Sequence, residues 1–481
     1  MTLKRIRTDT WMDWSRAIDD WPRDIQYNNR DTDMANALRF LHMRPSQIIS
    51  SDRVLYSRED GLWRELQKEE LFAEMHATDS LGELDVSNIR TMVDAVHTAC
   101  LTKARPFEWI ERPKGAPEPK DLALFRNGVL SVTTGKLWPL DGRYFATATP
   151  DFDYDPNATC PLWLSALDKW LDSEFHPTLQ EFFGYAMTTD NGLEHFLVPL
   201  GASRGGKSTM CRVLTDLVGT HHCASLTIND FGGSFGLQST LDKRLIFIPD
   251  ASDTDGRDRA TALTRLKSIT GNDEVSVNRK HLPIINTRLP GRFVLVANRH
   301  PKFLDDSGAL AARELVITFE KTIPLEERDK FFSTKLRQQL PGIANWALDG
   351  LRRLRKQGHF TVGNKGREAV RVLAEGQSPA LRFSNECLVV TGDRKDFVSL
   401  ADLYVVYVDW ADAEGLRGGE RRNRNDFAGD LAAALMDRGV RRGGKRVHDP
   451  RKPKVGKGRS VSGFRGLKIR RDARPNEWSI Q

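Results

Sequence analysis

The chain has 481 residues, of which 39% are hydrophobic and 28% are charged. This length predicts several domains at about 100–200 residues each, and the composition excludes collagen-like, mostly disordered and membrane classes. No apolar run reaches the roughly 18 residues that a bilayer span needs, and no apolar stretch follows the basic N-terminus as in a signal peptide. The five cysteines are scattered without a C-x-x-C pair, which makes a disulfide framework or a zinc site unexpected. We expect a cytoplasmic protein without a membrane partner.

The first part of the chain predicts short strands and helices. Val54–Tyr56 and Gly61–Trp63 indicate a hairpin, and apolar residues at helical spacing indicate that 64–104 is largely helical. The segment 125–137 alternates around Asn-Gly and Thr-Gly turns, which favours a second hairpin. Two amphipathic helices are predicted over 161–187.

From residue 196 the pattern changes to short apolar runs separated by helical or polar stretches. The runs are Phe196–Leu200, Leu245–Ile248, Phe293–Ala297 and Leu315–Phe319. Buried strands of a parallel sheet in an α/β layer have this pattern. The pattern of apolar residues is again typical of helices over 323–356. The last residues, about 85 in number, are predicted to form a small separate domain.

Net charge is informative locally. The chain carries +7, yet the segment 438–474 alone holds fifteen Lys and Arg residues against Asp449 and Asp472. The remainder is therefore negative, and the asymmetry predicts a basic C-terminal module that binds a polyanion.

A phosphate-binding loop lies directly after the first of these apolar runs. The sequence matches G-x-x-x-x-G-K-[ST] without a mismatch, a strand precedes it and a helix follows it. Glycines allow backbone N–H groups to turn onto phosphates, Lys207 would reach the β- and γ-phosphates, and Ser208 would bind Mg²⁺. The cofactors expected are ATP and Mg²⁺. The predicted nucleotide-binding residues are Gly201, Ala202, Ser203, Arg204, Gly205, Gly206, Lys207, Ser208 and Thr209.

Polar residues at the ends of the following strands complete the predicted catalytic set. Asp250 ends the second apolar strand, where a carboxylate binds Mg²⁺ through water, and either Asp250 or Asp253 could polarise the attacking water. Asn298 ends the third strand, and its amide can contact both the γ-phosphate and the water. Arg313 precedes a further strand, where a guanidinium supplied across a subunit boundary could neutralise charge in the transition state.

Two segments predict contacts with DNA. Residues 275–281 alternate as an extended segment, and the cations near its tip, Arg279, Lys280 and His281, can contact a single-strand backbone. Near the C-terminus, two helices, one opening at Ser399 and one over 424–437, are followed by a basic hairpin over 441–471, an order that suggests a winged helix. Its predicted DNA-binding residues are Arg441, Arg442, Lys445, Arg446, Lys454, Lys457 and Arg459.

The ordered set of these motifs resembles the superfamily 3 helicases. More narrowly, it is similar to the helicase part of phage and plasmid primase-helicases and of the poxvirus primase-helicase, over roughly 125–355. The resemblance implies an AAA+-like ATPase core closed into a ring, commonly a hexamer, that hydrolyses ATP between subunits and pulls one DNA strand 3′→5′. Lys207 and Ser208 match the phosphate and Mg²⁺ residues, Asp250 the metal-side acid, Asn298 the sensor and Arg313 the finger. Arg279 and Lys280 match the basic residues of the pore hairpin.

Three positions depart from the family pattern. Gly205 stands where an Asn is usual, no adjacent acidic pair follows the second strand, and Arg313 follows Ala312 where members often show two Arg residues. The water-activating residue therefore stays open between Asp250 and Asp253, and a second contact across the subunit boundary is in question.

The predicted protein is a ring-forming, ATP-dependent DNA helicase of a phage, plasmid or mobile element, located in the bacterial cytoplasm. We expect single-stranded and forked DNA, further copies of the chain and a separate primase or polymerase as partners, and no primase activity in the chain itself. An ATP-dependent replication initiator that binds an origin without processive unwinding is the first alternative, and a metabolic P-loop kinase is the second.

The predicted fold class is α/β, with an AAA+-like P-loop ATPase core, a helical N-terminal region and a C-terminal winged-helix-like domain. The predicted domains are an N-terminal domain of unknown role over 1–124, a hairpin and helical collar over 125–190, the ATPase core over 191–325, a helical region over 326–395 and the basic domain over 396–481.

Overall fold

The computed structural model describes residues 32–79, 86–201, 203–249, 257–298, 310–416, 421–435, 438, 440–447 and 459–470. The fold is mixed α/β with a parallel sheet, which confirms the predicted class at that level. Within the described ranges, no helix is both long enough and apolar enough to cross a bilayer.

Among the described residues, the N-terminal module combines three helices with an antiparallel sheet, as the hairpin and helical patterns predict. The elements are α1 (Asp33–Met43), β1 (Ile48–Ser51), β2 (Val54–Glu59), β3 (Leu62–Glu65), α2 (Lys68–Thr78) and α3 (Val86–Ala99). Helix α1 begins at Thr32, whose hydroxyl accepts a hydrogen bond from the Ala35 amide at 3.2 Å. The core of the module contains Phe40, Leu71 and Met92, each at most 1% exposed.

A small sheet and two helices form the collar, which precedes the central parallel sheet. The elements are β4 (Leu122–Phe125), β5 (Gly128–Ser131), β6 (Leu137–Trp138), α4 (Pro161–Trp170) and α5 (His176–Ala186). The predicted hairpin over 125–137 is thus a three-stranded antiparallel sheet that begins at Leu122. Strand β4 is buried on both faces, so it shows no alternation from which its start could be predicted, and the boundary at 124 cuts through it.

The central sheet has five parallel strands in the order β13-β7-β12-β9-β8. The segment from 196 to 319 contains β7 (Phe196–Gly201), α6 (Lys207–Val218), β8 (Cys223–Ser225), α7 (Ile228–Gly232), β9 (Leu245–Pro249), α8 (Arg257–Thr270), β10 (Val275–Arg279), β11 (Leu282–Thr287), β12 (Arg292–Val296) and β13 (Glu314–Phe319). Each of the four predicted strands is present. Successive residues such as Leu245 and Ile246 enter cores on opposite faces of the sheet, so both faces are covered.

Three helices follow the sheet: α9 (Phe332–Arg337), α10 (Leu340–Gln357) and α11 (Asn364–Gln377). Helix α10 packs so closely on α5 that a Cβ at Gly184 would lie 2.2 Å from the Ala347 carbonyl oxygen. Between them, Glu181 is fully buried and accepts hydrogen bonds from Arg353 Nε at 2.7 Å and from the Thr361 amide at 2.7 Å. Helix α10 therefore shares one core with the collar and with one face of the sheet.

The C-terminal module contains α12 (Pro379–Cys387), β14 (Leu388–Val390), β15 (Phe397–Ser399), α13 (Leu400–Ala413), α14 (Arg424–Ala434), β16 (Arg441–Val447), β17 (Arg459–Arg465) and β18 (Leu467–Ile469). Strands β15, β17 and β16 form one antiparallel sheet in that order. Phe383 of α12 contacts the Phe427 ring of α14, with ring centroids 5.5 Å apart. The packing unit therefore begins near Pro379, earlier than the predicted boundary at 396.

A buried aromatic and cationic seam joins the N-terminal residues to the start of β9. The guanidinium of Arg244, 1% exposed, lies 4.2 Å from the centroid of the Phe107 ring. The same ring packs edge-on against His222 at 4.8 Å, and His222 Nε2 lies 2.9 Å from the Ala148 carbonyl oxygen. Burial first, and then the charge of Arg244, lower the pKa of His222 from 6.5 to about 3, so the ring is neutral near pH 7.

Candidate functional site

The predicted phosphate-binding loop connects β7 to α6, the strand and helix that the motif requires on its two sides. Two of its glycines are required by geometry. Gly201 has φ +132°, and a Cβ there would lie 2.2 Å from the Phe319 carbonyl oxygen. Gly206, which precedes the first turn of α6, has φ +105°, and a Cβ there would lie 2.5 Å from the Trp170 ring. The loop therefore fits only between β13 and the collar helix α4.

Lys207 and Ser208 open helix α6 at the mouth of this loop. Lys207 is 6% exposed, and its ammonium donates a hydrogen bond across the loop to the Gly201 carbonyl oxygen. Ser208 is exposed. The first N–H groups of a helix have no partner within it and carry the positive end of the helix dipole, so this end of α6 favours an anion.

These residues line a cleft of about 1120 Å³ at the carboxyl edge of the sheet. Its walls come from the loop, from α4, from the segment 321–333 and from the ends of two strands, at Pro249 and Asn298. The Ile323 amide donates to the Arg204 carbonyl oxygen at 3.1 Å, which ties the segment 321–333 to the loop. The structure thus brings Asn298 and the end of β9 to the predicted phosphate loop.

The described lining of the cleft carries an excess of positive charge. Among the residues that the structure describes, seven cationic side chains line the cleft against three carboxylates, those of Asp168, Glu327 and Asp329. The cations are Lys169, Arg204, Lys207, Arg212, Lys321, Arg328 and Lys330. An excess of cations in a concave site raises the local concentration of a polyanion such as a triphosphate.

Three predicted residues of this site fall outside the described residues. They are Ala202 of the loop and the acidic residues Asp250 and Asp253. Strand β9 ends at Pro249, so Asp250 is the next residue along the chain. Their roles as metal-side acid and water-activating residue stay predictions, and the choice between Asp250 and Asp253 stays open.

Arg313 does not lie in this cleft. It immediately precedes β13, a six-residue strand parallel to β7, so about 20 Å of strand separates it from the carboxyl edge. Its guanidinium donates to the Lys267 carbonyl oxygen at 2.8 Å and to Thr270 Oγ1 at 3.2 Å, and lies 3.4 Å from a Glu194 carboxylate oxygen. Within its own chain, Arg313 is therefore held at the far edge of the sheet by α8.

The predicted basic hairpin is β10–β11, and its three predicted DNA-contacting residues have different surroundings. Lys280 and His281 form the exposed two-residue turn. Arg279 is only 7% exposed, because its guanidinium donates to the carbonyl oxygens of Pro283 at 3.0 Å and of Asp52 at 2.7 Å. The structure does not expose Arg279 at the tip, and burial lowers its pKa.

The C-terminal basic residues fall partly on described strands. Arg441 and Arg442 lie exposed on β16 and pair with β17. The structure describes the backbone of Lys445, Arg446 and Arg459 on these strands but not their side chains. Lys454 and Lys457 lie outside the described residues. DNA contact by this set stays a prediction.

Sequence reasoning missed two aromatic features. Trp170 is 4% exposed, and its ring packs against the Phe332 ring on the wall of the cleft, with the ring centroids 5.9 Å apart. No motif marks either residue. Phe235 is 55% exposed. Its carbonyl oxygen accepts a hydrogen bond from the Gln238 backbone amide, and Gln238 Oε1 accepts one from the Lys280 backbone amide at 2.8 Å. An aromatic residue among the glycines of 232–236 was the available signal for Phe235.

Two family models match parts of the chain. A model described as a family of unknown function, DUF5906, matches residues 200–313, from the phosphate loop to Arg313. A model described as D5 N terminal like matches residues 37–172. Each match covers less than half of the chain.

The chain is similar in fold to a solved structure titled the apo structure of NrS-1 C terminal region (305-718). The TM-score is 0.51 at 11% identity, covering 91% of this chain and 100% of that one. Two further structures of the NrS-1 C terminal region give TM-scores of 0.45 and 0.49 at 12% and 10% identity. They cover 82% and 90% of this chain, and 84% and 100% of theirs. The D5-type match and the shared fold fit the resemblance to the phage primase-helicase family.

Proposed function

We propose that this chain is a ring-forming, Mg·ATP-dependent DNA helicase that replicates a phage, plasmid or mobile element. The observation that carries the proposal is the cation-rich cleft where Lys207, Ser208 and Asn298 meet at the carboxyl edge of the sheet. In open parallel sheets, this edge is where ligands bind.

The residues of the cleft fit a nucleoside triphosphate with Mg²⁺. The positive φ of Gly201 and Gly206 suits a loop whose N–H groups turn onto phosphate, Lys207 would neutralise phosphate charge, and the exposed Ser208 could bind the metal. When bound, Mg²⁺ supplies charge neutralisation at the β- and γ-oxygens. Asn298, which lines the cleft, would orient water against the phosphate, with Asp250 or Asp253 as the acid.

The place of Arg313 supports hydrolysis between subunits. A guanidinium at the edge of the sheet opposite the cleft cannot reach a phosphate in its own chain. A neighbouring copy would present it instead, which closes a ring, with a hexamer as the expected form.

Two surfaces would hold DNA. Lys280 and His281 are exposed at the hairpin tip, and the exposed Phe235, connected to the tip through Gln238, would add a ring on which a base can stack. In the C-terminal module, the order α12, β15, α13, α14, β16, β17 and the sheet order β15-β17-β16 favour a winged helix with a basic wing.

The experiment that tests the proposal is strand displacement on forked DNA with a 3′ or a 5′ single-stranded tail, in Mg·ATP. We expect displacement only with the 3′ tail, and none with Lys207→Ala. Arg64→Ala is the control, because Arg64 pairs with Glu59 and Glu70 in the N-terminal module and does not line the cleft. Retained turnover in Lys207→Ala would remove the loop from the active site.

An origin-binding initiator is the second candidate, favoured by one observation. The first turn of α14 exposes Arg424 and Asn425, side chains that can read base edges in a major groove. A sequence-specific footprint with DNA-stimulated hydrolysis and no displacement would favour the initiator. Hydrolysis indifferent to DNA would instead favour a P-loop kinase, and a separate primase or polymerase partner stays a prediction.

A further inference from the structure

The N-terminal module contacts the hairpin that is proposed to hold DNA. Arg279 of β10 donates to the Asp52 carbonyl oxygen at 2.7 Å. Arg105 donates to Thr287 Oγ1 of β11 at 2.7 Å and lies 3.2 Å from the Asp52 carboxylate. One short cluster of residues therefore ties both strands of the hairpin to the same module.

Asp52 lies in a two-residue turn between β1 and β2 whose backbone is unusual. Asp52 has φ +47° and Arg53 has φ +64°, in a register where Ser51 pairs with Val54. A turn of this type favours glycine or asparagine at both central positions. The bulky side chain of Arg53 disfavours the left-handed backbone region. Residues held in such a conformation cluster at functional sites, where the surrounding structure maintains it.

The partners of the hairpin within the N-terminal module are joined to each other. Ser51 Oγ donates to the Ala104 carbonyl oxygen at 2.9 Å, which connects the β1–β2 turn to the residue before Arg105. On its other side the hairpin is tied to the ATPase core, because the Lys280 amide donates to Gln238 Oε1 at 2.8 Å. The turn between these two supports leaves Lys280 and His281 exposed.

We propose that the N-terminal module positions the DNA-contacting hairpin through Asp52 and Arg105. Arg279, whose guanidinium is covered by two carbonyl oxygens, anchors the hairpin rather than contacting phosphate, and the supported turn presents Lys280 and His281 to the strand. Asp52 and Arg105 are positioning residues, since they touch neither nucleotide nor DNA. The inference rests on the proposed function and gives the N-terminal module a role in coupling DNA to hydrolysis.

The test measures ATP turnover of the full chain against increasing oligo-dT, for the wild type and for Arg105→Ala. We expect Arg105→Ala to raise the half-maximal oligo-dT concentration about five-fold, the change that loss of one net hydrogen bond corresponds to. Unstimulated kcat and the KM for ATP should stay at wild-type values. Arg64→Ala is the matched control, because Arg64 pairs with Glu59 and Glu70 inside the same module and away from the hairpin.

The outcomes separate the two levels of the argument. A wild type without DNA-stimulated turnover overturns the proposed function itself. With stimulation present, an Arg105→Ala titration that equals wild type overturns the positioning role, and stronger stimulation would mean that the contact restrains the hairpin, which also overturns it. Changes of unstimulated kcat and half-maximal concentration together would indicate general damage and contradict the inference.

A second variant keeps the test decisive if Arg105→Ala does not fold. Asp52→Asn removes the charge facing Arg105 and keeps a residue that tolerates positive φ, so the turn is preserved. Asp52→Asn should also raise the half-maximal oligo-dT concentration. A double-mutant cycle of Arg105→Ala and Thr287→Val in thermal unfolding should show coupling, and additive effects would exclude the contact in solution.

Discussion

Acidification should weaken the fold through His222, the buried ring in the seam between the N-terminal residues and β9. The ring is fully buried, and its Nδ1 has no hydrogen-bond partner in the part of the chain that the structure describes. Burial and the nearby Arg244 charge lower its pKa from 6.5 to about 3. Since the unfolded chain binds this proton at higher pH than the folded one, the stabilisation is complete above about pH 6.5 and is lost as pH falls toward 3.

The magnitude follows from the two pKa values. Between pH 7 and pH 5 the unfolded histidine becomes almost fully protonated while the folded one stays neutral, which removes about 2 kcal/mol of unfolding free energy. The assay is urea unfolding at pH 7, 6 and 5 for the wild type, His222→Gln and His221→Gln. His221 is exposed and serves as the control. Carboxylates contribute equally to all three chains, so the wild type should lose about 2 kcal/mol more than His222→Gln over this range. If the free energy of unfolding fell with pH equally in the wild type and in His222→Gln, the reasoning would be refuted.

The remaining predictions concern the cleft, the collar and the subunit boundary. Gly206→Ala should destabilise by about 2 kcal/mol or more and abolish nucleotide binding, because the new Cβ meets Trp170 at positive φ; calorimetry and nucleotide titration check this. Glu181→Ala should cost about 1–3 kcal/mol in urea unfolding, because it leaves the Thr361 amide without its buried acceptor, while the Arg353 guanidinium is partly exposed and keeps other acceptors. Arg313→Ala should bind ATP but not hydrolyse it, and mixing it with Lys207→Ala should restore part of the turnover.

Controls for these variants lie in the same chain. Gly358→Ala has φ +77° but no atom within 4 Å of the new Cβ, so it separates backbone strain from the clash with Trp170. Asp349→Ala removes an exposed ion pair with Arg352 and should change stability by about 1 kcal/mol or less. Equal loss of nucleotide binding in Gly206→Ala and Gly358→Ala would contradict the first prediction. Equal losses of unfolding free energy in Glu181→Ala and Asp349→Ala would contradict the second. The third fails if mixing Arg313→Ala with Lys207→Ala restores no ATP turnover.

The features that the sequence predicts are local. The strand, loop and helix around Lys207 follow from the motif and its flanks, and the apolar runs mark each predicted strand because a buried parallel strand is apolar on both faces. The cap at Ser399 was also predictable, since Ser399 Oγ accepts from the Asp402 amide at 3.1 Å, three residues on.

The features that it does not predict depend on residues far apart in the chain. Alternation over 275–281 indicates which residues share a face of the hairpin but not what covers that face, and Arg279 is covered by Asp52, 227 positions away. Trp170 lies in the cleft only because α4 packs on the loop. Leu388 pairs with Ile469 across the predicted boundary at 396, a contact that no local pattern records.

The contact between Trp170 and Gly206 has a practical consequence for dissecting the protein. A fragment that starts at 191, the predicted start of the ATPase core, would contain every motif residue yet lack α4, a wall of the cleft. Such a fragment exposes the apolar surface that the collar covers and leaves the loop glycine without its neighbour. Inactivity of a minimal motor fragment would thus report a missing wall rather than a missing catalytic group, and dissection should start upstream of the collar, before Leu122.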